Sequence, residues 1–133
     1  MLDKGSPEVT WLQCSQRTRR WYNDNQEGML ESGWRSVLTQ KVRFAASLRM
    51  ISALQMENLS VMDFGCGVAD FVDYAHFLMR FYAGVEVRER QLELAKEKVR
   101  RYDFPSMLTS DPLEITEQID VIVLHGVFGF SDQ

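Results

Sequence analysis

The stretch from Leu59 to Phe71, LSVMDFGCGVADF, constrains the fold of this chain more than any other segment. It contains the short apolar pair Val61 and Met62, which is typical of a strand. Gly65 and Gly67 follow at once, where a chain that leaves a strand must turn tightly before it enters a helix. At such a corner of an open α/β sheet, helix amides and bare backbone let a ligand approach closely. A Gly-x-Gly turn that binds nothing remains the alternative.

The residue at position 70 separates two classes of ligand for this corner. The dinucleotide-binding fingerprint G-x-G-x-x-G requires its third glycine there, and the chain has Asp70 instead. A carboxylate at this point would face the pyrophosphate of a nicotinamide or flavin cofactor. A nicotinamide-dependent oxidoreductase therefore stays open as an alternative only if the corner tolerates Asp70 beside that pyrophosphate.

The segment resembles motif I of the class I S-adenosylmethionine-dependent methyltransferases, which usually reads hydrophobic-hydrophobic-D-x-G-C-G-x-G. The matching positions are Val61, Met62, Asp63, Gly65, Cys66 and Gly67. The resemblance implies a Rossmann-like α/β fold and S-adenosyl-L-methionine as the cofactor, with contacts from Asp63, Gly65, Cys66 and Gly67. Ala69 stands where the family most often has its last glycine, and we expect its methyl group to crowd the cofactor without excluding it.

Composition limits the class of protein. The chain has 133 residues, of which 45% are hydrophobic and 26% charged, as in one small globular domain. Charges interrupt its apolar segments and its first residues lack a signal peptide's apolar region, so we expect a cytoplasmic protein without membrane contacts. A net charge of −4 gives no electrostatic reason to expect nucleic acid. Cys14 and Cys66 are too few for a metal site, and we expect Cys66 to be a small buried residue.

Helices are expected ahead of the glycine corner. Residues 1–14 predict a flexible N-terminal arm, and residues 15–133 predict a single domain. Helical character begins near Gln16 and becomes firm from about Trp34 to Gln55, with Gln40 and other polar residues mostly away from the core. The apolar residues of this second helix should lie on the sheet: Leu38, Val42, Ala45, Leu48 and Ile51.

Two short segments ahead of the corner, Gly33–Trp34 and Gln40–Phe44, resemble the G-W and Q-x-x-R-F segments of a small bacterial and phage branch of these methyltransferases. The resemblance implies that this helix helps to cover the cofactor. We expect Tyr22, Trp34 and Arg43 near the site, because an aromatic face suits a sulfonium and an arginine suits the methionine carboxylate. Aromatic packing and a solvated arginine are the alternatives.

The second strand is predicted from Phe81 to Val87, after a helix over Ala69 to about Met79. Glu86 lies 23 residues after Asp63, close to the spacing of roughly 20 residues at which an acid on the second strand meets a ribose. A carboxylate there can accept hydrogen bonds from both ribose hydroxyls, although a solvated glutamate is the alternative. The family pattern Y-x-G-[VI]-[DE] is matched by Tyr82, Gly84, Val85 and Glu86. This resemblance implies cofactor contacts at Glu86 and Val87.

The next helix is predicted from Arg90 to Tyr102, followed by a short third strand from Ser106 to Thr109. Asp111 comes directly after that strand, where these methyltransferases often have an aspartate that accepts a hydrogen bond from the adenine amino group. The resemblance therefore implies adenine contacts from Asp111, Pro112 and Leu113. Asp-Pro is also a common turn in its own right.

An apolar run from Ile119 to Leu124 predicts a fourth, buried parallel strand. The family often ends this strand with S-G-V-F or S-G-I-F, and this chain has HGVF over residues 125–128. His125 is the candidate catalytic residue, because it would border both cofactor and substrate and could orient or deprotonate an acceptor. Packing of its ring over the adenosine is the alternative.

The predicted strands correspond to the 3-2-1-4 part of a class I methyltransferase sheet, whose full order is 3-2-1-4-5-7-6. The resemblance thus covers about residues 15–130 but only the cofactor half of the fold, as in a truncated domain. Strand 4, central in the family, becomes an apolar edge here. We therefore expect a partner chain or a second copy to cover it.

Two functions follow from these patterns. The first is an S-adenosylmethionine-dependent methyltransferase, or its cofactor-binding half, which transfers a methyl group to a small-molecule or protein acceptor mainly by positioning the reactants. The second is a catalytically inactive binding or structural subunit of a larger assembly, such as a viral particle. The N-P-P-Y signature of enzymes that methylate DNA amino groups is absent after strand 4, which argues against a nucleic-acid substrate.

Overall fold

The computed structural model describes residue 34, residues 36–125 and seven helical positions between 13 and 24. Tyr22, Gly33, residues 126–128 and the predicted arm apart from Gln13 lie outside the described residues. No helix among the described residues is long and apolar enough to cross a membrane. The elements are α1 (Val37–Ala53), β1 (Leu59–Phe64), α2 (Asp70–Ala75), β2 (Met79–Val85), α3 (Glu89–Val99), β3 (Ser106–Thr109) and β4 (Val121–Val123), with 3-10 turns at His76–Leu78 and Pro112–Glu114.

Four parallel strands form one sheet in the order β3-β2-β1-β4, which confirms the predicted strand order. The register pairs Phe64 at the end of β1 with Val85 at the end of β2, and Val85 with Thr109 at the end of β3. On the other side of β1, Asp63 pairs with Val123 at the end of β4. The carboxyl ends of all four strands therefore meet at one edge of the sheet.

The bounds of the central elements differ from the predicted ones. α2 ends at Ala75, and the 3-10 turn that follows it returns the chain to the sheet earlier than the helical pattern indicates. β2 consequently runs from Met79 to Val85, two residues ahead of its predicted start at Phe81. Glu86 therefore follows the strand instead of lying within it.

α3 and β4 are also shorter than predicted. α3 ends at Val99, and Tyr102 lies beyond it, stacked on Phe104 with ring centroids 5.7 Å apart. β4 begins only at Val121, because the preceding Asp120 is held at the start of the sheet. Its carboxylate accepts the Ser60 amide at 2.8 Å.

The predicted inward face of α1 is wrong in part. Ile51 is buried and Leu48 half-buried, as expected, but Leu38 and Val42 are 72% and 60% exposed, and Ala45 is exposed as well. Apolar residues occupy more than one face of this helix, so their period alone does not determine which face meets the sheet.

The buried face of α1 centres on Phe44 and Gln40. The Phe44 ring packs edge to face against Phe71 and Tyr74, with centroids 5.2 and 5.3 Å apart. Gln40, predicted to lie away from the core, is buried and donates to Asp70 Oδ2 at 3.0 Å. These contacts with α2 set the rotation of α1.

Gly84 in β2 lies where an added side chain would meet the core. A Cβ there would be 2.5 Å from Leu108 Cδ1, 3.0 Å from Cys66 Sγ and 3.1 Å from Tyr82 Cε1. The end of Leu108 can turn away, but Cys66 and Tyr82 are buried. We therefore expect Gly84→Ala to lower the free energy of unfolding by about 1–3 kcal/mol, as measured by urea denaturation.

A second substitution tests this explanation of the Gly84→Ala effect. Leu108→Val removes the δ carbon that lies nearest to the new methyl group, so the double variant should regain part of the lost stability. Equal stabilities of the parent and Gly84→Ala would contradict the expected crowding.

Candidate functional site

The corner after β1 folds over the end of β2. The amides of Gly65 and Cys66 both donate to the Val85 carbonyl, at 2.8 and 3.0 Å. Gly65 and Gly67 have φ angles of 76° and 58°, which glycine adopts at little steric cost. The chain therefore passes the carboxyl edge of the sheet as bare backbone before α2 begins.

Ala69 completes the corner in a left-handed conformation, with φ 63° and ψ 34°. Such a conformation costs an L-residue about 1–2 kcal/mol, so a glycine at this position would avoid strain. Ala69 is fully buried, and its methyl group packs with the core. Crowding of a cofactor by this methyl group stays a prediction.

The Glu86 carboxylate lies against the corner and is held by four donors. Oε1 accepts the Gly67 amide at 3.1 Å and Arg88 Nη2 at 3.0 Å. Oε2 accepts the Arg88 amide at 3.0 Å and Arg88 Nε at 3.4 Å. The side chains of Glu86 and Arg88 are 6% and 11% exposed, so they form a buried ion pair. The corner and the acid after β2 are in direct contact.

Asp63 is buried at the carboxyl end of β1. The Tyr82 hydroxyl donates to its Oδ2 at 2.7 Å. Burial raises the pKa of Asp63 to about 7, and the negative charges of Glu86 and Asp70 act in the same direction, while the Tyr82 hydrogen bond opposes them. Near neutral pH this carboxyl is therefore divided between its protonated and ionised forms.

Cys66 is a small buried residue, as predicted. Its sulfur lies over Gly84 in β2, where no side chain intervenes. Burial raises the pKa of the thiol well above its usual value, and the charges of Asp63 and Glu86 raise it further. The thiol is therefore protonated, and its role is to pack the corner onto the sheet.

Asp111 and the turn after it lie next to Glu86 along the same edge. The Glu86 amide donates to the Thr109 carbonyl at 3.0 Å, which joins the chain after β2 to the end of β3. Asp111 Oδ1 accepts the Leu113 amide at 2.9 Å, so this carboxylate caps the 3-10 turn that begins at Pro112. The segment predicted to bind adenine is thus adjacent to the acid predicted to bind the ribose.

His125, the last described residue, packs against the aromatic cluster of α1 and α2. Its ring centroid lies 4.7 Å from those of Phe44 and Phe71, and its Nε2 is 2.7 Å from Ser47 Oγ. Burial, together with the charge of Arg43, lowers the pKa of His125 to about 4, so the ring is neutral at pH 7. Its Nδ1 is buried and has no hydrogen-bond partner in the described part of the chain.

Arg43 and Trp34 extend this aromatic cluster at the protein surface. The Arg43 guanidinium carbon lies 5.2 Å from the Trp34 ring centroid, within the range of a cation–π contact. Trp34 in turn packs edge to face on Phe44 at 5.9 Å. The structure thus brings Trp34, Arg43 and His125 into one group. Their proximity to a cofactor, and a contact from Arg43 to a carboxylate, stay predictions.

Two arginines at the site were not predicted from the sequence. Arg88 pairs with Glu86, and Arg19 Nε donates to the Val87 carbonyl at 2.5 Å. The Glu-Val-Arg sequence offers one signal for the first contact, since an arginine two residues after the acid can fold back onto it. The second joins residues 68 positions apart, and no local pattern predicts it.

The negative charge of Asp70 is offset by neighbouring side chains that the sequence pattern did not predict. Its carboxylate accepts Gln40 Nε2 at 3.0 Å and pairs with Lys98 Nζ at 2.8 Å. The repulsion expected between Asp70 and a pyrophosphate is therefore weaker than the sequence indicates. The distinction between the two classes of ligand then depends on the fold, because an acid after the second strand can bind the ribose of either ligand.

No protein-family model and no curated protein sequence matches this chain. Its backbone is similar to that of magnesium protoporphyrin IX methyltransferase from Synechocystis with bound S-adenosylhomocysteine, with a TM-score of 0.54 and 21% identity over 80% of this chain and 50% of that one. It is also similar to phosphoethanolamine N-methyltransferase 1 of Haemonchus contortus in complex with phosphoethanolamine and S-adenosylhomocysteine. The TM-score is 0.55 and the identity 18%, over 92% of this chain and 27% of that one. The chain spans half or less of the length of these proteins.

Proposed function

Because the chain has the Rossmann-like fold of class I S-adenosylmethionine-dependent methyltransferases, we propose that it binds S-adenosylmethionine and acts as such a methyltransferase or as its cofactor-binding half. The acceptor is a small molecule or a protein. The observation that carries the proposal is the 3.1 Å hydrogen bond from the Gly67 amide to Glu86 Oε1, which joins the bare corner to the acid after β2.

The residues at this edge suit a sulfonium nucleoside. Gly65 and Gly67 offer backbone without side chains, so a ligand can come close to it. Glu86 is a carboxylate that can accept both ribose hydroxyls, and the turn at Asp111 follows on the neighbouring strand. The aromatic rings around His125 suit a positively charged sulfur. Further contacts are proposed from Asp63, Cys66, Val87, Pro112, Leu113 and Arg43.

The cofactor supplies a methyl group on a positively charged sulfur. The role of the protein is to hold the acceptor in line with that methyl group. Orientation of the two reactants is the main source of the rate enhancement in such a reaction. His125 is the candidate for orienting the acceptor, and its Nδ1 has no hydrogen-bond partner among the described residues. With a pKa of about 4 it would accept a hydrogen bond at neutral pH without carrying a charge.

A partner at β4 is a further part of the proposal. β4 pairs with β1 on one side, and no other described strand lies on its second side. Ile122 in β4 and Leu124 just after it are 57% and 45% exposed. An apolar edge strand favours pairing with another chain, so a second copy or a partner protein is the expected cover.

Calorimetric titration with S-adenosylhomocysteine tests the proposal. We expect saturable binding to one site, and at one hundred times the Kd the ligand should raise the free energy of unfolding by about 2.7 kcal/mol. NADH is the matched control, since a nicotinamide-binding corner would favour it. Binding of NADH in place of S-adenosylhomocysteine would overturn the proposal.

A methyl-release assay separates an enzyme from a binding module. The chain is incubated with methyl-labelled S-adenosylmethionine and sets of small-molecule or protein acceptors, and transferred label is counted. Transfer that depends on an acceptor supports an enzyme. Tight binding of S-adenosylhomocysteine without transfer to any acceptor would favour the inactive binding subunit instead.

A further inference from the structure

The carboxylate that the proposed function assigns to the ribose has all its acceptor positions filled. A carboxylate offers about four lone-pair positions. Glu86 uses them for the Gly67 amide, the Arg88 amide and the Arg88 atoms Nη2 and Nε. Two of these donors are backbone amides and two belong to one side chain. Two ribose hydroxyls can therefore bond to Glu86 only where the guanidinium withdraws.

We infer that Arg88 is an internal competitor of the ligand, which holds Glu86 while the site is empty and yields it to the two hydroxyls of a ribonucleoside. This inference rests on the proposed function. A carboxylate that is 6% exposed requires a compensating partner, and the guanidinium supplies one in the absence of ligand. Arg88 is thus a specificity-determining residue, because a ligand with one hydroxyl would replace only one of its two bonds.

The backbone around the pair is held, so an exchange of partners at Glu86 has to take place through side chains. The Glu86 amide donates to the Thr109 carbonyl at 3.0 Å, and the Val87 carbonyl accepts Arg19 Nε at 2.5 Å. Both bonds fix the chain between β2 and α3. The longest of the four bonds to Glu86, at 3.4 Å, comes from the Arg88 side chain, which makes it the weakest of them.

Removal of the guanidinium should tighten binding of S-adenosylhomocysteine. The apparent affinity of a site is reduced by the fraction of molecules in which it is closed, so Arg88→Met should lower the Kd about tenfold if nine molecules in ten hold the pair. Arg80→Met is the matched control, because Arg80 also pairs with a carboxylate, that of Asp120, but at the opposite end of the sheet. Its Kd should equal that of the parent.

Two further measurements keep the test valid if Arg88→Met folds poorly. Arg88→Lys retains the charge but lacks the planar fork that meets both oxygens, so it should tighten binding by a smaller factor. In the parent chain labelled with ¹⁵N-arginine, the Arg88 Nε–H signal should shift and lose protection from solvent exchange when S-adenosylhomocysteine saturates the site.

The outcomes separate this inference from the proposed function. If the parent binds S-adenosylhomocysteine and neither folded variant binds it more tightly, Arg88 is not a competitor, although the cofactor assignment stands. An Arg88 Nε–H signal that does not change on saturation leads to the same conclusion. If neither the parent nor the variants bind S-adenosylhomocysteine, the proposed function fails and this inference fails with it.

Discussion

Glu86→Gln should lose at least about 100-fold in affinity for S-adenosylhomocysteine, because two hydrogen bonds to a charged acceptor, worth about 1.5–3 kcal/mol each, would be lost. The amide of glutamine keeps the size of the side chain but places a donor where the carboxylate has an acceptor. That donor meets the Gly67 amide or the Arg88 guanidinium, both of which are donors themselves. Calorimetric titration measures the effect.

The matched control for this prediction is Glu93→Gln. Glu93 lies on the exposed side of α3 and pairs only with Lys96 at 3.0 Å among the contacts described for it, so its neutralisation should leave the Kd unchanged. Both variants are compared by thermal denaturation, so that a loss of folding is not mistaken for a loss of binding. A folded Glu86→Gln protein with parental affinity would remove Glu86 from the site.

Asp63→Asn should become more stable relative to the parent as the pH rises. The pKa of Asp63 is about 7 in the folded chain against its ordinary value of 3.8, so between these values the folded state binds more protons than the unfolded state. The stability contributed by the protonated carboxyl is complete below pH 3.8 and is lost as the pH rises through 7. Asparagine resembles the protonated carboxyl at every pH, so the Asp63→Asn variant does not lose this stability as the pH rises.

The difference in unfolding free energy between Asp63→Asn and the parent should grow by at most about 1.4 kcal/mol per pH unit. From pH 5 to pH 7 it should grow by about 2 kcal/mol, because half of the folded chains have lost the Asp63 proton at pH 7. Urea denaturation at several pH values measures it. Tyr82→Phe provides a second test, because it removes the hydrogen bond that lowers the pKa of Asp63 and should extend the pH dependence upward. A difference that stays constant from pH 5 to pH 8 would show that Asp63 titrates normally.

Local signals predicted the elements that position the site. β3 has its predicted bounds, Ser106–Thr109, because Pro105 and the Asp-Pro turn at 111–112 limit it on both sides. The corner at Gly65 was predictable from the glycine itself, because glycine adopts positive φ angles at little steric cost. The contact of that corner with Glu86 followed from the spacing of the two segments, since parallel strands bring their carboxyl ends together.

Contacts between distant segments could not be predicted in the same way. α1 carries apolar residues on several faces, and the hydrogen bond of Gln40 to Asp70 and the packing of Phe44 determine which face is buried. The state of His125 likewise depends on its burial and on the charge of Arg43, 82 residues away in the sequence. No pattern within one segment contains this information.

The sequence by itself determined the strands, the glycine corner and the acid after the second strand, because strand, turn and helix preferences act over a few neighbouring residues. The order of the strands was implied by the resemblance to a known family. The tertiary structure alone decided that Arg88 holds Glu86, that Asp63 is buried beside Tyr82, and that Leu38 faces outward. Those outcomes depend on strand register and on burial, which arise only when segments far apart in the chain pack together.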